Sequence, residues 1–259
     1  MNIVKKNWLR IAAIALFLAI LCLSPLPSFA KVLTPDWSYQ GETNPQNWGK
    51  LTRDFATCEI GKKQSPIDIV GAVKGKPVQM VFNYQASPVE IVNNGHSIQV
   101  NYAPGGTIDI DGTAYSLLQF HFHTPSEHQI AGKTAAMELH LVHRDAAGKL
   151  AVVGVMINAG KENPAIAKIW NAIPPTGKTN PIDSDNFDIT NLLPLHKSYY
   201  SYAGSLTTPP CSEGVNWAVL TEPITVSQAQ IRKFEQLYPI DARPVQLTNT
   251  RKIELHETL

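Results

Sequence analysis

The sequence predicts a mainly β (α+β) fold, in which a single domain is built around a large, mostly antiparallel twisted β-sheet with a few peripheral helices. Most of the chain consists of short apolar or alternating segments separated by turn sequences, which is typical of β-strands. Only two segments show helical patterning. No internal repeat, low-complexity tract or linker-like change in composition divides residues 31–259.

The predicted strands fall into two groups. Three short strands are joined by Asn-Asn-Gly and Pro-Gly-Gly turn sequences, which are typical connections between antiparallel strands: residues 89–92, 97–100 and 107–110. Three longer stretches are almost continuously apolar, which indicates central strands covered on both faces: residues 116–122, 135–142 and 150–158.

The two predicted helices each carry a start signal. One spans about residues 163–172, where Pro164 suits the first turn of a helix. The other follows Ser227, because Ser227 and Gln230 form a capping-box pattern ahead of a helical apolar repeat.

The composition excludes several classes of protein. The chain has 259 residues, of which 44% are hydrophobic and 17% charged, so it can bury a sizeable core. Its 16 glycines and 19 prolines are scattered, which argues against a collagen-like or disordered chain. Because 22 basic residues stand against 21 acidic ones without a long run of like charge, nucleic-acid binding by a broad basic face is not expected.

The first thirty residues have the three parts of a secretory signal peptide. Lys5, Lys6 and Arg10 precede an apolar run over residues 11–23, and Ser-Phe-Ala at 28–30 offers a cleavage site. An uncleaved anchor is the alternative, but the run is short for a span of about twenty residues. We therefore expect a signal peptide at 1–30, a single mature domain at 31–259, a periplasmic or secreted protein, and no membrane attachment after cleavage.

Export makes the cysteines informative. Outside the predicted signal peptide the chain keeps only Cys58 and Cys211, and an even pair in an oxidising compartment favours one disulfide. Such a bridge would close a loop of about 150 residues and contribute about 5 kcal/mol in the chain-entropy model. Two free thiols or a metal-binding pair remain alternatives, although the chain contains no Cys-x-x-Cys motif to favour a metal.

The histidines indicate a metal site. On a strand, residues two apart share a face, so His121 and His123 point one way while the phenylalanines between and before them point the other way. His140 lies on a later predicted strand. If the two strands are neighbours, three imidazoles converge, and three neutral nitrogens with an open fourth position are typical of catalytic zinc.

Two polar residues precede these histidines at the same spacing. Gln119 and Glu138 each lie two residues before a proposed ligand and on its face of the strand. They are placed to accept the other ring N–H of His121 and His140, which would fix the tautomer of each ring.

The histidines also allow interpretations that involve no zinc. A single strand histidine is more often a structural residue than a ligand, and this interpretation is kept for His143, His196 and His256. The spacing His121-x-His123-x3-Glu127 also matches part of the cupin metal motif, which binds iron or manganese. The rest of the cupin pattern is missing, because no glycine lies six residues before His121 and no Pro-x-Gly-x-x-His precedes His140.

Nine ordered segments carry a family resemblance over nearly the whole chain after residue 30. They are WSY (37–39), NWG (47–49), QSPID (64–68), NNGHS (93–97), QFHFH (119–123), SEH (126–128), ELHLV (138–142), YAGSLTTPP (202–210) and RPVQ (243–246). Together they resemble an alpha-class carbonic anhydrase of the exported bacterial type, in which Thr-Pro-Ser-Glu-His follows the second histidine. Cys58 and Cys211 also lie where exported members of that family place their disulfide.

The resemblance implies a role for each matching residue. His121, His123 and His140 would bind Zn²⁺, with Gln119 and Glu138 behind them. Thr207 would orient the attacking hydroxide by accepting a hydrogen bond from it and donating one to Glu127. The pocket for carbon dioxide would be formed by Val142, Val152, Leu206, Thr208 and Trp217. His96 would carry protons to buffer through ordered waters near Tyr39, Asn94 and Thr208.

The implied activity is reversible hydration of carbon dioxide to bicarbonate and a proton, by a monomer or weak dimer. A catalytically silent binding protein on the same fold is an alternative, but such relatives lack zinc histidines that are all present here. The chain departs from many animal members at Thr124, Ser212 and Ala242. These differences are expected to change the rim of the pocket and leave the zinc ligands and the Thr207–Glu127 pair unaffected.

Overall fold

The computed structural model describes residues 36–77, 80–182 and 187–257. The predicted signal peptide lies outside these ranges. Within them, no helix is both long enough and apolar enough to cross a membrane.

The described residues form sixteen strands and four short α-helices. The strands are β1 Asp68–Ile69, β2 Val73–Lys74, β3 Met80–Asn83, β4 Val89–Asn93, β5 Ile98–Tyr102, β6 Thr107–Ile110, β7 Thr113–His123, β8 Gln129–Ile130, β9 Lys133–Thr134, β10 Met137–Arg144, β11 Leu150–Ala159, β12 Lys178–Ile182, β13 Tyr199–Ser205, β14 Glu213–Leu220, β15 Ile224–Val226 and β16 Glu254–His256. The α-helices are α1 Trp48–Leu51, α2 Thr57–Ile60, α3 Pro164–Asn171 and α4 Gln228–Glu235. Turns of 3₁₀-helix lie at Gly41–Thr43, Arg53–Phe55 and Ile189–Leu192.

One large open sheet dominates the described part of the chain. It has 13 strands, ten of which follow the order β12-β4-β5-β7-β10-β11-β14-β13-β16-β2, while β15 pairs with β11 and β6 pairs with β3 and β7. Most neighbours are antiparallel, but the pairs β11–β14, β11–β15 and β16–β2 are parallel. A separate sheet of three strands has the order β1-β8-β9. The predicted fold class is therefore confirmed, with a sheet that is mixed in its second half.

Alternation along the central strands separates two apolar clusters. In β10, Leu139 and Leu141 belong to the larger cluster, which also contains buried residues of α3 and α4. On the other face of β10, Val142 belongs to a smaller cluster together with Val152 of β11 and Trp217 of β14. Successive side chains of a strand point to opposite faces. The helices therefore cover one face of the sheet, and the smaller apolar cluster lies on the other.

Both predicted helices are confirmed, and their start signals are formed. The side chain of Asn163 accepts from the backbone N–H groups of Ala165 and Ile166, which caps α3. In α4 the capping box between Ser227 and Gln230 is present in both directions.

The expected disulfide is also present. Cys58 of α2 and Cys211 are joined with an S–S distance of 2.06 Å across a sequence separation of 153 residues. The bridge packs in a small apolar cluster with Trp48 and Phe55. It ties the N-terminal helices to the loop between β13 and β14.

Candidate metal centre

Three histidines of two neighbouring strands converge on one point. Strands β7 and β10 are antiparallel neighbours, with His140 directly opposite His121 and Glu138 opposite His123. One nitrogen from each of His121, His123 and His140 lies within 4.8 Å of the others. The strand pairing that the three-histidine prediction required is therefore formed.

Each of the three rings is fixed by an acceptor on its other nitrogen. Nδ1 of His121 lies 2.8 Å from Oε1 of Gln119, and Nε2 of His140 lies 2.9 Å from Oε1 of Glu138. Nδ1 of His123 lies 2.7 Å from the backbone oxygen of Asp241. The oxygens of Gln119 and Asp241 accept from Nδ1 of His121 and of His123, so Nε2 of each neutral ring keeps its lone pair. The close contact of Glu138 with Nε2 of His140 favours the proton on that nitrogen and leaves Nδ1 with the lone pair.

The lone pairs that remain fit a metal ion. They belong to Nε2 of His121, Nε2 of His123 and Nδ1 of His140, and Nε2 of His123 is buried without a hydrogen-bond partner among the described residues. A buried polar atom without a partner is costly, and a cation at this point would supply one for it. Three imidazoles with oxygens behind them match the donor set that is typical of a catalytic zinc site, so these residues could hold a metal ion.

Burial keeps His121 and His140 neutral. It lowers the pKa of His121 well below its ordinary value, and the neighbouring rings of His123 and His140 lower it further. Burial lowers the pKa of His140 to about 4, although the carboxylate of Glu138 opposes this shift. Because only a neutral imidazole can bind a metal, these pKa shifts favour ligation at neutral pH.

Glu138 lies at the centre of a buried hydrogen-bond network. Burial acts to raise its pKa, but His128 and His140 outweigh burial and hold the pKa well below its usual range. Oε2 accepts from the backbone N–H of His128 at 2.8 Å, and Oε1 lies 2.7 Å from Nδ1 of the same residue. A Cβ at Gly154, opposite His140 on β11, would lie 2.9 Å from Oε1, so the strand leaves just enough space for the carboxylate.

Glu127 lies beside the histidine nitrogens, and Thr207 lies beside Glu127. Oε2 of Glu127 is 3.5 Å from Nε2 of His123 and 3.8 Å from Nδ1 of His140. Burial raises the pKa of Glu127 to about 8, while hydrogen bonds from the backbone of Arg243 and the side chain of Thr207 act to lower it. The structure thus brings together the pair that the resemblance implied.

The expected pocket residues lie on the same face of the sheet as the histidines. Val142 and Val152 are directly opposite each other and share one apolar cluster with Trp217, against which Leu206 packs. The ring centroid of Trp217 is 4.8 Å from that of His140. Thr208 is half-buried in the loop after β13, where its backbone oxygen accepts from Cys211.

His96 lies in a turn between β4 and β5. Its ring stacks on that of Trp37, with centroids 3.8 Å apart and planes 8° from parallel. The side chain of Asn94 accepts from the backbone N–H of His96 at 2.8 Å, which fixes the turn. The pKa of Tyr39 is raised by burial and then by the charge of Glu127, so Tyr39 connects this aromatic group electrostatically to the centre.

Four residues of this region had no assigned role from sequence. Asp241 holds His123 through its backbone oxygen, and Arg243 donates its backbone N–H to Glu127 at 2.8 Å. His128 connects Glu138 to the hydroxyl of Tyr202, which is 2.6 Å from Nε2 of His128. Backbone contacts carry no sequence signal, whereas His128 could have been suspected from its position five residues after His123.

The other histidines lie elsewhere. His143 is buried on the opposite face of β10, with Nε2 2.6 Å from the hydroxyl of Tyr84. His196 is exposed near Glu222. His256, expected in a polar tail, is instead buried in β16, because that strand pairs with β13 and β2.

The chain is similar to proteins of one family. Residues 43–257 match the family model described as eukaryotic-type carbonic anhydrase. A carbonic anhydrase of Nostoc sp. is 45% identical over 236 residues, covering 89% of each chain. The extent of these matches excludes the cupin alternative.

Solved structures agree with the sequence matches. The structure of a hyperthermostable carbonic anhydrase from an active hydrothermal vent chimney has a TM-score of 0.84 and 48% identity, covering 86% of this chain and all of that one. An alpha-carbonic anhydrase of Thermovibrio ammonificans, in complex with the inhibitor sulfanilamide, has a TM-score of 0.81 and 42% identity, covering 85% of this chain and 99% of that one.

Proposed function

The chain belongs to the eukaryotic-type (alpha) carbonic anhydrase family and is an enzyme of that family, and on this premise we propose that it hydrates carbon dioxide with Zn²⁺ held by His121, His123 and His140. The observation that carries the proposal is the set of three ring lone pairs that face one point, each fixed by an acceptor behind its ring. When bound, zinc lowers the pKa of water to about 7 and so supplies a hydroxide nucleophile, as is known for carbonic anhydrases.

Thr207 and Glu127 are proposed to orient the attacking hydroxide. An ionised Glu127 accepts the hydroxyl proton of Thr207, so the oxygen of Thr207 in turn accepts a hydrogen bond from the nucleophile. Glu127 lies within 4 Å of two ligand nitrogens, so its ionised form gains from positive charge at the centre. This arrangement directs the lone pair of the nucleophile towards the pocket.

The apolar cluster beside the histidines is proposed to hold carbon dioxide. Carbon dioxide is uncharged, so a wall formed by Val142, Val152 and Trp217 can position it without stabilising the charged product. Leu206 and Thr208 complete the proposed wall from the loop after β13. Thr124, Ser212 and Ala242 remain proposed determinants of the pocket rim.

His96 is proposed to move the proton from the centre to buffer. The ring of His96 is half-buried, and imidazole is the side chain best suited to accept and release a proton near neutral pH. Tyr39 and Asn94 would order the water between His96 and the centre. Stacking on Trp37 gives the ring one defined position from which to exchange protons with solvent.

We also propose that the enzyme is exported. Residues 1–30 would act as the signal peptide and residues 31–259 as the catalytic domain, delivered to the periplasm or the medium. The Cys58–Cys211 disulfide supports this, because such bridges persist in oxidising compartments. The proposed oligomeric state is a monomer or weak dimer.

The experiment combines zinc analysis with stopped-flow hydration of carbon dioxide by purified residues 31–259. We expect one zinc per chain in the wild type and rapid hydration. His121→Ala should lose both together, since two imidazoles form too few protein ligands for the site. His196→Ala is the matched control, because it removes an exposed histidine distant in sequence, and it should retain both. Stoichiometric zinc at wild-type affinity in His121→Ala would overturn the ligand assignment.

A further inference from the structure

Ser201 and His256 form a hydrogen-bonded pair on the sheet face opposite the metal centre. The neighbouring Tyr202 contacts His128 on the metal side, so alternation along β13 places Ser201 on the other face. In the antiparallel pairing of β13 with β16, Ser201 is opposite Glu254 and Tyr199 is opposite His256. Ser201 and His256 are therefore diagonal neighbours on one face, with Oγ 2.8 Å from Nε2.

The second ring nitrogen of His256 determines where the protons lie. Nδ1 of His256 is 2.9 Å from the backbone oxygen of Lys76, which can only accept, so Nδ1 carries a hydrogen. In the neutral ring Nε2 then holds the lone pair, and the hydroxyl of Ser201 donates to it. This is the arrangement of a serine nucleophile, its general base and a group that orients the base.

The ring of His256 is held in place from both sides. The ring of Tyr199 stacks on it with centroids 4.7 Å apart and planes 21° from parallel. On another side, a Cβ at Gly75 would lie 2.6 Å from Cε1 of His256, so only glycine allows the chain to pack this closely. His256 is 6% exposed, and its two hydrogen bonds and two packing contacts leave it one orientation. A base fixed in this way loses little entropy when it acts.

Ser201, in contrast, is accessible. It is half-buried and lines an open depression of about 360 Å³, which is large enough for a small organic molecule. Asn216 of β14 also lines the depression and lies on the same sheet face, diagonal to Ser201, because Ala218 is opposite Ser201. Nδ2 of Asn216 donates one hydrogen to the hydroxyl of Tyr115 at 3.4 Å, and its second hydrogen can be donated to an oxygen that becomes negatively charged. The ammonium of Lys252 at the rim is paired with Glu254, 2.6 Å away, and Asp111 also lines the depression, so the lining has no excess of positive charge that would favour an anionic ligand.

We propose that Ser201 and His256 form a second site, which transfers the acyl group of small uncharged esters to water. Oγ of Ser201 attacks the acyl carbon while Nε2 of His256 takes the hydroxyl proton. The ester C–O bond then breaks, and the proton passes from His256 to the leaving alcohol. Water attacks the acyl-serine by the same route, so the carboxylic acid is released and both side chains return to their starting state.

Diisopropyl fluorophosphate is the probe that tests this site on the zinc-loaded enzyme. Oγ of Ser201 should displace fluoride from phosphorus, and the proton should go to His256. Intact-mass and peptide mass spectrometry should find one adduct, located on Ser201. Ser201→Ala should carry no adduct, and His256→Gln, which keeps the serine but lacks the base, should be labelled about 100-fold more slowly.

Ser116→Ala is the matched control. Ser116 is an exposed serine of β7, and no hydrogen bond to a histidine is found for it among the described residues. This variant should be labelled at Ser201 as fast as the wild type. Carbon dioxide hydration by the same samples reports whether each variant is folded.

Two results would overturn the proposal. One is a wild-type enzyme in which Ser201 is labelled no faster than Ser116, and the other is equal labelling of wild type and His256→Gln. Either would assign the Ser201–His256 hydrogen bond to stability of the sheet alone. If His256→Gln fails to fold, the labelling rates of Ser201 and Ser116 in the wild-type chain still decide whether Ser201 is an activated nucleophile.

Discussion

His140 and His143 lie on one strand, and both are buried, yet their surroundings differ completely. Burial lowers the pKa of His140 to about 4 and that of His143 to about 3. The ring of His140 is held by Glu138 and faces two further imidazoles, whereas the ring of His143 bonds to Tyr84 of the larger apolar cluster. A buried, neutral histidine is therefore not by itself a ligand. Several lone pairs directed at one point, with an acceptor behind each ring, distinguish a metal centre.

The largest expected effect separates the two histidines directly. His140→Ala should lose zinc and reduce carbon dioxide hydration to background, because one of three ligands is gone. His143→Phe should keep both and instead lower the free energy of unfolding by about 1–3 kcal/mol, since the hydroxyl of Tyr84 loses its partner. Zinc titration and urea unfolding of both variants check this. Loss of zinc in a folded His143→Phe would contradict the distinction between His140 as a zinc ligand and His143 as a structural residue.

The pH dependence of stability should carry a signature of His143. Its pKa is about 3 in the folded state and about 6.5 when unfolded, so the unfolded chain binds a proton first as pH falls. The stability that the folded protein has with a neutral His143 is fully present above pH 6.5. It is lost as pH falls towards 3, by up to about 5 kcal/mol in the free energy of unfolding. Urea unfolding of wild type and His143→Phe from pH 7 to 4 measures it. The wild type should lose its advantage as pH falls, so the two curves should meet and then cross, and parallel curves would contradict a neutral, buried His143.

The carboxylate behind His140 should matter less than the ligand itself. Glu138→Gln keeps the size of the side chain but removes the charge that His128 and His140 stabilise, so zinc affinity should fall about 10- to 100-fold. Competition with a chelator measures the affinity. Glu222→Gln, a change beside the exposed His196, serves as the control and should retain wild-type affinity. Unchanged affinity in Glu138→Gln would mean that the acceptor behind the ring is dispensable.

The narrowest expected effect concerns His96, which is not among the proposed zinc ligands and should influence kcat alone. His96→Ala should keep zinc and kcat/KM but lower kcat in dilute buffer by up to about 100-fold, and added imidazole should restore it. Thr207→Ala should lower kcat/KM without rescue, because it disturbs the orientation of the nucleophile. Stopped-flow hydration over a range of buffer concentrations separates the two. If His96→Ala matches the wild type in dilute buffer, protons leave by another route.

Sequence periodicity was sufficient to predict the central strands and to show which face of each strand carries the histidines. The alternation of histidine with phenylalanine in β7, and of His140 with leucine in β10, determines which side chains meet once the strands pair. The six predicted strands, both helices and the disulfide are all present. The roles of Glu127, Thr207 and His96 were available only from family resemblance, because each is an ordinary loop or turn residue in its local sequence.

Long-range contacts explain what the sequence could not show. The sequence analysis did not predict β13 and β14: β13 consists of tyrosines and small residues without a clear repeat, and the apolar part of β14 is short. Asp241 acts on His123 through its backbone across 118 residues, so its side chain carries no signal for that role. His256 is buried because β16 joins the sheet beside β13, a pairing that depends on the tertiary fold.

X-ray absorption at the zinc edge of the loaded enzyme tests the three-histidine centre most directly. We predict four light ligands at about 2.0 Å, of which three show the multiple-scattering pattern of imidazole and the fourth is a non-imidazole oxygen. His140→Ala should bind no zinc, and His143→Phe should give the wild-type spectrum. A sulfur ligand at about 2.3 Å, or a fit that requires only two imidazoles, would contradict the three-histidine centre.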